Sequence, residues 1–356
     1  MNRLSPTTQT LYAELLEQLL SIETKRSLGH LKGSFVSKKL KGEDYIYFQY
    51  SEPGNKTRQI YFGKKDKTTN DLIKKFETNK TLLLKDQEHL QKLCAQLRAG
   101  GALMTDHASG RIIQAFVDSG FFHMGGVLVG THAFIVLGNL LGIHWESALL
   151  KTQDIDVAGE SNMNIVFPGH KKTPYEEVPD LLKRLEMGFI PVPTLNPKHP
   201  STSFRVRGNP LRVDVLTPLI GKNSNKPIIL KALNIAAQPL RFLDYLIEAP
   251  EKAALIYSHG LLINVPSPAR MAFHKLLIAA ERPVAMQDKV DKDIHQAAQL
   301  FLFLAEERPG DLLLAWEDLL NRGKGWKSRV CLGFKKMKKY KEASQRLSEL
   351  ITDFKK

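Results

Sequence analysis

The chain of 356 residues carries 51 lysines and arginines against 37 acids, a formal net charge of +14, with 43% hydrophobic residues and two cysteines. That length suggests two or three domains and the apolar content can fill their cores, while Cys94 and Cys331 exclude a disulfide framework or a cysteine metal quartet, which fits a reducing, cytoplasmic setting. The first residues lack the unbroken apolar core of a signal peptide, and the most apolar stretch, 127–143, is interrupted by Thr131, His132 and Asn139 and is too short to span a bilayer.

Ser5 and Pro6 read as the N-cap and first residue of a helix over 5–28, with Leu11, Leu15, Leu16 and Leu19 at helical spacing. The period then changes to two. Residues 34–41, 45–50 and 58–62, broken by turn residues at 42–44 and 52–56, predict an antiparallel three-stranded meander. Its Tyr45, Tyr47, Tyr50 and Tyr61 lie among Lys38, Lys39, Lys41, Lys56 and Arg58. Two readings stay open there: the rings bury one face of a thin sheet against a helix, the commoner fate of any single tyrosine, or they stack nucleic-acid bases while the lysines neutralise phosphate. Residues 67–100 predict a long charged helix with Leu72, Phe76, Leu83, Leu90, Leu93 and Leu97 along one stripe and Gly100-Gly101 at its end, and 107–119 a further helix.

An apolar run then ends in Gly130-Thr131, a helical segment follows, and Asp154-Ile155-Asp156 reads as a strand. Alternation puts both aspartates on one face, about 6–7 Å apart. Two carboxylates so close repel each other unless a cation lies between them, and Mg²⁺ is held by such pairs together with substrate phosphates, so the pattern suggests metal-assisted phosphoryl chemistry. Asn162–Phe167 extends the sheet, 174–187 reads as a helix with acids in its first turn and bases in its last, and 189–192 as a strand. Gly208-Asn209-Pro210 makes 203–207 and 211–216 a hairpin that brings Asp214, a third carboxylate, beside the Asp154/Asp156 strand. Arg205, Arg207 and Arg212 alternate on it, either as exposed cross-strand charges or as phosphate contacts. Residues 255–257 and 261–265 form another hairpin, and Pro266 and Pro268 open four helices over 269–282, 290–307, 309–322 and 330–354. The domains expected are 1–100, 101–266 and 267–356.

Val129-Gly130-Thr131, Asp154-Ile155-Asp156-Val157 and the later Asp214 resemble the motif of the DNA polymerase β-like nucleotidyltransferase superfamily. Thr131 departs from the usual Gly or Ser, keeping the hydroxyl on a stiffer, β-branched side chain. Residues 265–276 and 292–297 look like the helical half of a group of bacterial nucleotidyltransferase-fold proteins, loosely related to AbiEii-type toxin transferases, and 236–240 and 244–246 look like its sheet-edge strands. The resemblance covers roughly 100–310. It implies an α+β fold: a polymerase β-like mixed sheet with helices, a C-terminal helical bundle, and a small N-terminal meander flanked by helices.

The activity it implies is transfer of a nucleoside monophosphate from a nucleoside triphosphate to a hydroxyl, with release of pyrophosphate. Asp154, Asp156 and Asp214 would be the catalytic carboxylates and the ligands of two Mg²⁺ ions, with Mn²⁺ as the alternative. Gly130 and Thr131 would meet the nucleotide phosphates, Lys275 the leaving pyrophosphate, and Asp293 would orient Lys275 or a ribose. Without the resemblance, Lys275 reads as a surface lysine and Asp293 as a first-turn helix acid. Residues 25–80 hold 14 basic side chains against 6 acidic ones, and 321–356 hold 12 against 3. Such flanks are either a solvated surface or the seat of a polyanionic acceptor, RNA of the tRNA kind being the simplest. Two rival functions stay open: a non-catalytic binding module on the same fold, and a metal-dependent phosphohydrolase.

Overall fold

The computed structural model describes residues 2–24, 33–40, 42–52, 56–146, 149–150, 152–160, 178–193, 199–221, 226–230 and 235–354. A mixed sheet lies at its centre, with Ile228–Leu230, Ile235–Leu240, Arg212–Pro218, Asp154–Ala158 and Val127–Val129 side by side in that order. Arg212–Pro218 runs parallel to Asp154–Ala158 on one side and to Ile235–Leu240 on the other. Its first residues also pair antiparallel with Ser203–Val206, the predicted hairpin, and Phe189–Pro191 pairs with that strand in turn. The pleat sorts the side chains. Ile155, Val157, Val213 and Val215 point into the core and are at most 1% exposed, while Asp154, Asp156 and Asp214 emerge half-buried on the opposite face.

The helix Gly130–Leu141 leaves the Val127–Val129 strand and is buried along most of its length, from His132 through Asn139, so its apolar composition suits a position inside the domain. Gly142, with φ +69°, closes it in the left-handed conformation. The predicted strand at 162–167 and residues 174–177 of the predicted helix lie outside the described residues; the helix itself spans Val178–Arg184.

Three expectations for the second half change. The first strand of the hairpin is Glu251–Leu255 and not 255–257, because Tyr257 belongs to the turn, its C=O accepting from the Gly260 N–H at 2.8 Å. Residues 243–247 form a short helix and not an edge strand: Phe242 adopts a left-handed backbone, φ 66°, which turns the chain off the Ile235–Leu240 strand directly into the helical Leu243–Ile247 turn. The helix expected over 330–354 is two helices, Lys324–Met337 and Lys341–Leu350. The break lets the following segment double back, so that Phe354 packs 4.5 Å from Phe334 and 4.9 Å from Trp316, contacts that a continuous rod would carry away from the core. With Pro268–Glu281, Gln287–Glu307 and Pro309–Asn321, they make the helical half.

The N-terminal helix Pro6–Thr24 and the last third of the 33-residue helix Lys67–Ala99 pack together on the hairpin Glu251–Leu255/Leu261–Val265, burying Tyr12, Leu15, Leu90, Leu97, Ala254 and Ile256 in one cluster. Ser5 Oγ accepts from the Thr8 N–H at 3.2 Å, as an N-cap before Pro6 should. At the other end of the long helix, Asp66 and Thr69 form a capping box, and the meander Ser34–Leu40, Glu43–Glu52 and Lys56–Lys64 lies beside it.

Candidate active site

In the parallel register of the two central strands, Asp214 is the partner of Asp156 and Arg212 the partner of Asp154. The three predicted carboxylates therefore lie on one face of two adjacent strands. Antiparallel pairing sets Val129 opposite Asp156 on the other side, so the Gly130 turn follows at once beside that carboxylate. Gly130 has φ +68°, and a Cβ there would overlap Asp156 Oδ2 and lie 3.2 Å from its Cγ. Glycine is required twice over, for the backbone conformation and for the room. The turn opens the helix Gly130–Leu141, whose first N–H groups have no intrahelical partners.

Asp156 is electrostatically strained. Burial, then the like charges of Asp214 and Asp154, push its carboxyl up to about 7, against the smaller opposing pull of Lys289 and Lys275. A carboxylate set that holds a proton near neutrality is one that a divalent cation would relieve, so the chemistry of these donors fits such an ion. Asp214 is differently placed in detail: its Oδ1 accepts from Arg212 Nε at 2.9 Å, and the same Nε also reaches Ser203 Oγ at 2.6 Å. Among the described residues, no set of three His, Cys, Asp or Glu side chains converges as a ready cage.

Above this face lies a cleft of about 510 Å³. Gly130, Thr131, Asp154, Asp156, Lys275 and Asp293 all line it; Asp214, beside Asp156 on the neighbouring strand with its Oδ1 on Arg212, does not. The far wall belongs to the helices Pro268–Glu281 and Gln287–Glu307. There Lys275 is buried and donates to Asp293 Oδ1 at 3.1 Å, and Arg282 Nε donates to Asp293 Oδ2 at 2.8 Å. Lys275 is thus a buried lysine held by a carboxylate that a second cation also grips. Beside it, His274 has its pKa lowered to about 3 by burial and by Lys275, so the ring is neutral.

Three cleft residues carried no sequence signature: Arg241, Arg282 and Lys289. Lys292 lines the cleft as well, with its ammonium destabilised first by burial and then by Lys275. Lys289 stands three before Lys292, which the resemblance at 292–297 already held, and Arg282 two turns beyond Lys275, and that spacing is the pattern by which Lys289 and Arg282 could have been noticed. His132, next to Thr131, is 3% exposed with neither ring nitrogen hydrogen-bonded, and burial lowers its pKa to about 4. Carboxylates on one wall, a helix N-terminus at the floor and a cluster of cations opposite form a cleft that can take a polyphosphate with its counter-cation.

No helix among the described residues is long and apolar enough to cross a membrane. Comparison with curated proteins and with solved structures gives no match. A family profile described as "Nucleotidyltransferase" matches residues 107–321, from the helix that follows the Asp106 cap through the strands and turn just described to the end of Pro309–Asn321. With more than half its length in that match and the fold in accord, the chain belongs to this nucleotidyltransferase family, transferase enzymes that take a nucleoside triphosphate as substrate and usually work with divalent metal ions.

Proposed function

We propose that the protein transfers a nucleoside monophosphate from a nucleoside triphosphate to a hydroxyl of a polyanionic acceptor, RNA of the tRNA kind, releasing pyrophosphate in the cytoplasm. The observation that carries this reading is Asp156, with its raised proton affinity, facing the Gly130 turn on one side of a cleft and the Lys275–Asp293–Arg282 group on the other. Asp154, Asp156 and Asp214 would hold two Mg²⁺ ions, or Mn²⁺, which when bound neutralise the triphosphate and acidify the acceptor hydroxyl.

The chain's own groups do the rest. The free N–H groups at the start of Gly130–Leu141 and the Thr131 hydroxyl receive the phosphates. Lys275, held in place by Asp293, meets the charge that builds on the departing pyrophosphate, with Lys289, Lys292 and Arg282 around it. Asp214, its Oδ1 fixed by Arg212, takes the acceptor proton on Oδ2 as the new acceptor O–P bond forms and the bond between the α-phosphorus and the pyrophosphate oxygen breaks. The two chains of basic residues outside the matched region, at 25–80 and 321–356, suit an acceptor rich in phosphate.

The test is incubation of the purified protein with each α-³²P-labelled ribonucleoside triphosphate, Mg²⁺ and total RNA or protein extract, beside Asp154→Ala/Asp156→Ala. Label entering the RNA fraction from one nucleotide, and lost in the variant, is the expected result. Label in the protein fraction would transfer the acceptor class to protein, and release of inorganic phosphate without label transfer would sink the reading in favour of hydrolysis.

A further inference from the structure

The meander stands outside the matched span and has two unlike faces. On one, Phe35, Phe48 and Phe62 gather with Phe76 of the long helix, ring centroids 4.8 to 6.0 Å apart, so that this is the side by which the sheet packs on its helix. On the other, Tyr61 stands between Tyr45 and Tyr47, 6.1 and 5.7 Å away, as a contiguous row of three rings. Tyr61 is 55% exposed. These tyrosines are therefore not what fastens the sheet to its helix, which separates the two readings the sequence left open.

Cations flank the row. Lys38 lies 5.2 Å from the Tyr47 ring centroid and Lys64 lies 6.0 Å from that of Tyr45. The acid at this end, Glu43, pairs with Lys64 at 2.6 Å and accepts from the Tyr45 hydroxyl at 2.8 Å, so those two charges offset each other and the net positive charge of the face comes from Lys38 and the wider basic excess. Counting from 25 to 80, bases outnumber acids 14 to 6. An exposed ring flanked by two half-buried ones, with ammonium groups beside them to meet phosphate, matches the chemistry of a single strand: every base offers a π-face, and a duplex does not. The helix that carries the face runs 21 residues from Phe76 to Leu97, about 30 Å at 1.5 Å per residue, and so holds it well away from the cluster that anchors Leu97.

We propose that the Tyr45–Tyr61–Tyr47 face, with Lys38 and Lys64, is a binding site for single-stranded nucleic acid that grips the strand by base stacking. The site would serve the RNA acceptor proposed above, but the face is argued from its own geometry and does not depend on the transfer reaction.

The experiment is fluorescence anisotropy of a labelled 12-nucleotide single-stranded RNA with the full chain, in EDTA and without nucleotide, so that transfer plays no part. Tyr45→Ala/Tyr47→Ala/Tyr61→Ala should weaken binding about tenfold or more, whereas the corresponding triple Phe variant should stay within about threefold, because stacking needs the ring and not the hydroxyl. Lys38→Ala/Lys64→Ala should weaken binding and flatten its salt dependence. A duplex of the same sequence should be indifferent to the tyrosine changes. Equal single-strand affinity in the wild type and the triple Ala variant would overturn the proposal and leave the face to a protein partner, whatever the labelling experiment shows. An equal loss for single strand and duplex would overturn stacking as its basis.

Discussion

Gly130 and Asp156 are so close that the glycine's missing side chain is the space the carboxylate occupies. The contact joins the phosphate-side turn to the most strained carboxylate of the cleft, and its φ of +68° is one that L side chains rarely adopt. Gly130→Ala should therefore cost about 1–3 kcal/mol of stability from backbone strain. It should also lower the transfer rate on the order of 100-fold, the scale of losing one preorganised electrostatic contact. Thermal unfolding and single-turnover transfer on the same preparation separate the two effects; full activity in a stable variant would show that the turn does not shape the site.

Asp156 gives stability an unusual pH dependence. Its carboxyl titrates at about 7 in the folded protein against an ordinary value of 3.8. Between those values the folded state holds a proton that the unfolded state has lost, so stability contributed here is present below about pH 4, declines as pH rises to about 7, and stays lost above it. Asp156→Asn imitates the protonated form. In EDTA the variant should match the wild type near pH 4 and exceed it by about 2–4 kcal/mol at pH 8, while losing transfer activity. Urea unfolding at the two pH values checks this, and a variant less stable than the wild type at pH 8 would contradict it.

The N-terminal helix is hydrogen-bonded to the second half of the chain through Tyr12. The Tyr12 hydroxyl donates to Ala254 O at 3.0 Å and lies 3.1 Å from Ala254 N, inside the cluster of Leu15, Leu97 and Ile256. Burial raises the phenol's pKa well above its usual value, which keeps it a donor. Tyr12→Phe leaves a backbone N–H and a C=O buried without that partner and should cost about 1–3 kcal/mol. Because the residue is remote from the cleft residues by contact, transfer at low temperature should be unchanged. A loss of activity without a loss of stability would point instead to a functional coupling between this helix and the site.

What was legible in the sequence follows from which contacts are local. Asp154, Asp156 and Asp214 could be placed because a strand's alternation and a tight Gly208-Asn209-Pro210 turn fix side-chain direction within a few residues, and the register Asp214 to Asp156 bears that placement out. The Gly130 turn was readable for the same reason. Arg241 and Arg282 were not, because they reach the cleft from segments whose approach depends on how the helices pack, and an arginine at a helix end looks the same whether it meets solvent or Asp293. Lys289 resembled an ordinary solvated face, whereas Lys292 lay in the 292–297 stretch that carried the family resemblance. The break at 338–340 was missed because neither proline nor glycine marks it; the docking of Phe354 on Trp316 and Phe334 does, and that is a tertiary preference.

Asp293 shows how structural and functional roles divide in the far wall. Its two oxygens are held by Lys275 and Arg282, with Lys275 buried and Arg282 about a quarter exposed. Removing the lysine leaves Asp293 still paired with the partly exposed Arg282. Removing the carboxylate leaves Lys275 buried beside another cation. Asp293→Ala should thus cost about 3–5 kcal/mol, the range for breaking a buried pair by deleting one partner, whereas Lys275→Met should cost no more than about 2 kcal/mol. Activity should run the other way. Lys275→Met, folded and nearly as stable as the wild type, should lose transfer by about 100-fold or more if its ammonium meets the leaving pyrophosphate. Urea unfolding of both variants, with rates measured well below their midpoints, gives the comparison. Should Lys275→Met transfer normally while Asp293→Ala unfolds, the pair is a structural clamp, and the charge on the pyrophosphate falls to Arg241, Arg282, Lys289 and Lys292, the other cations of the cleft.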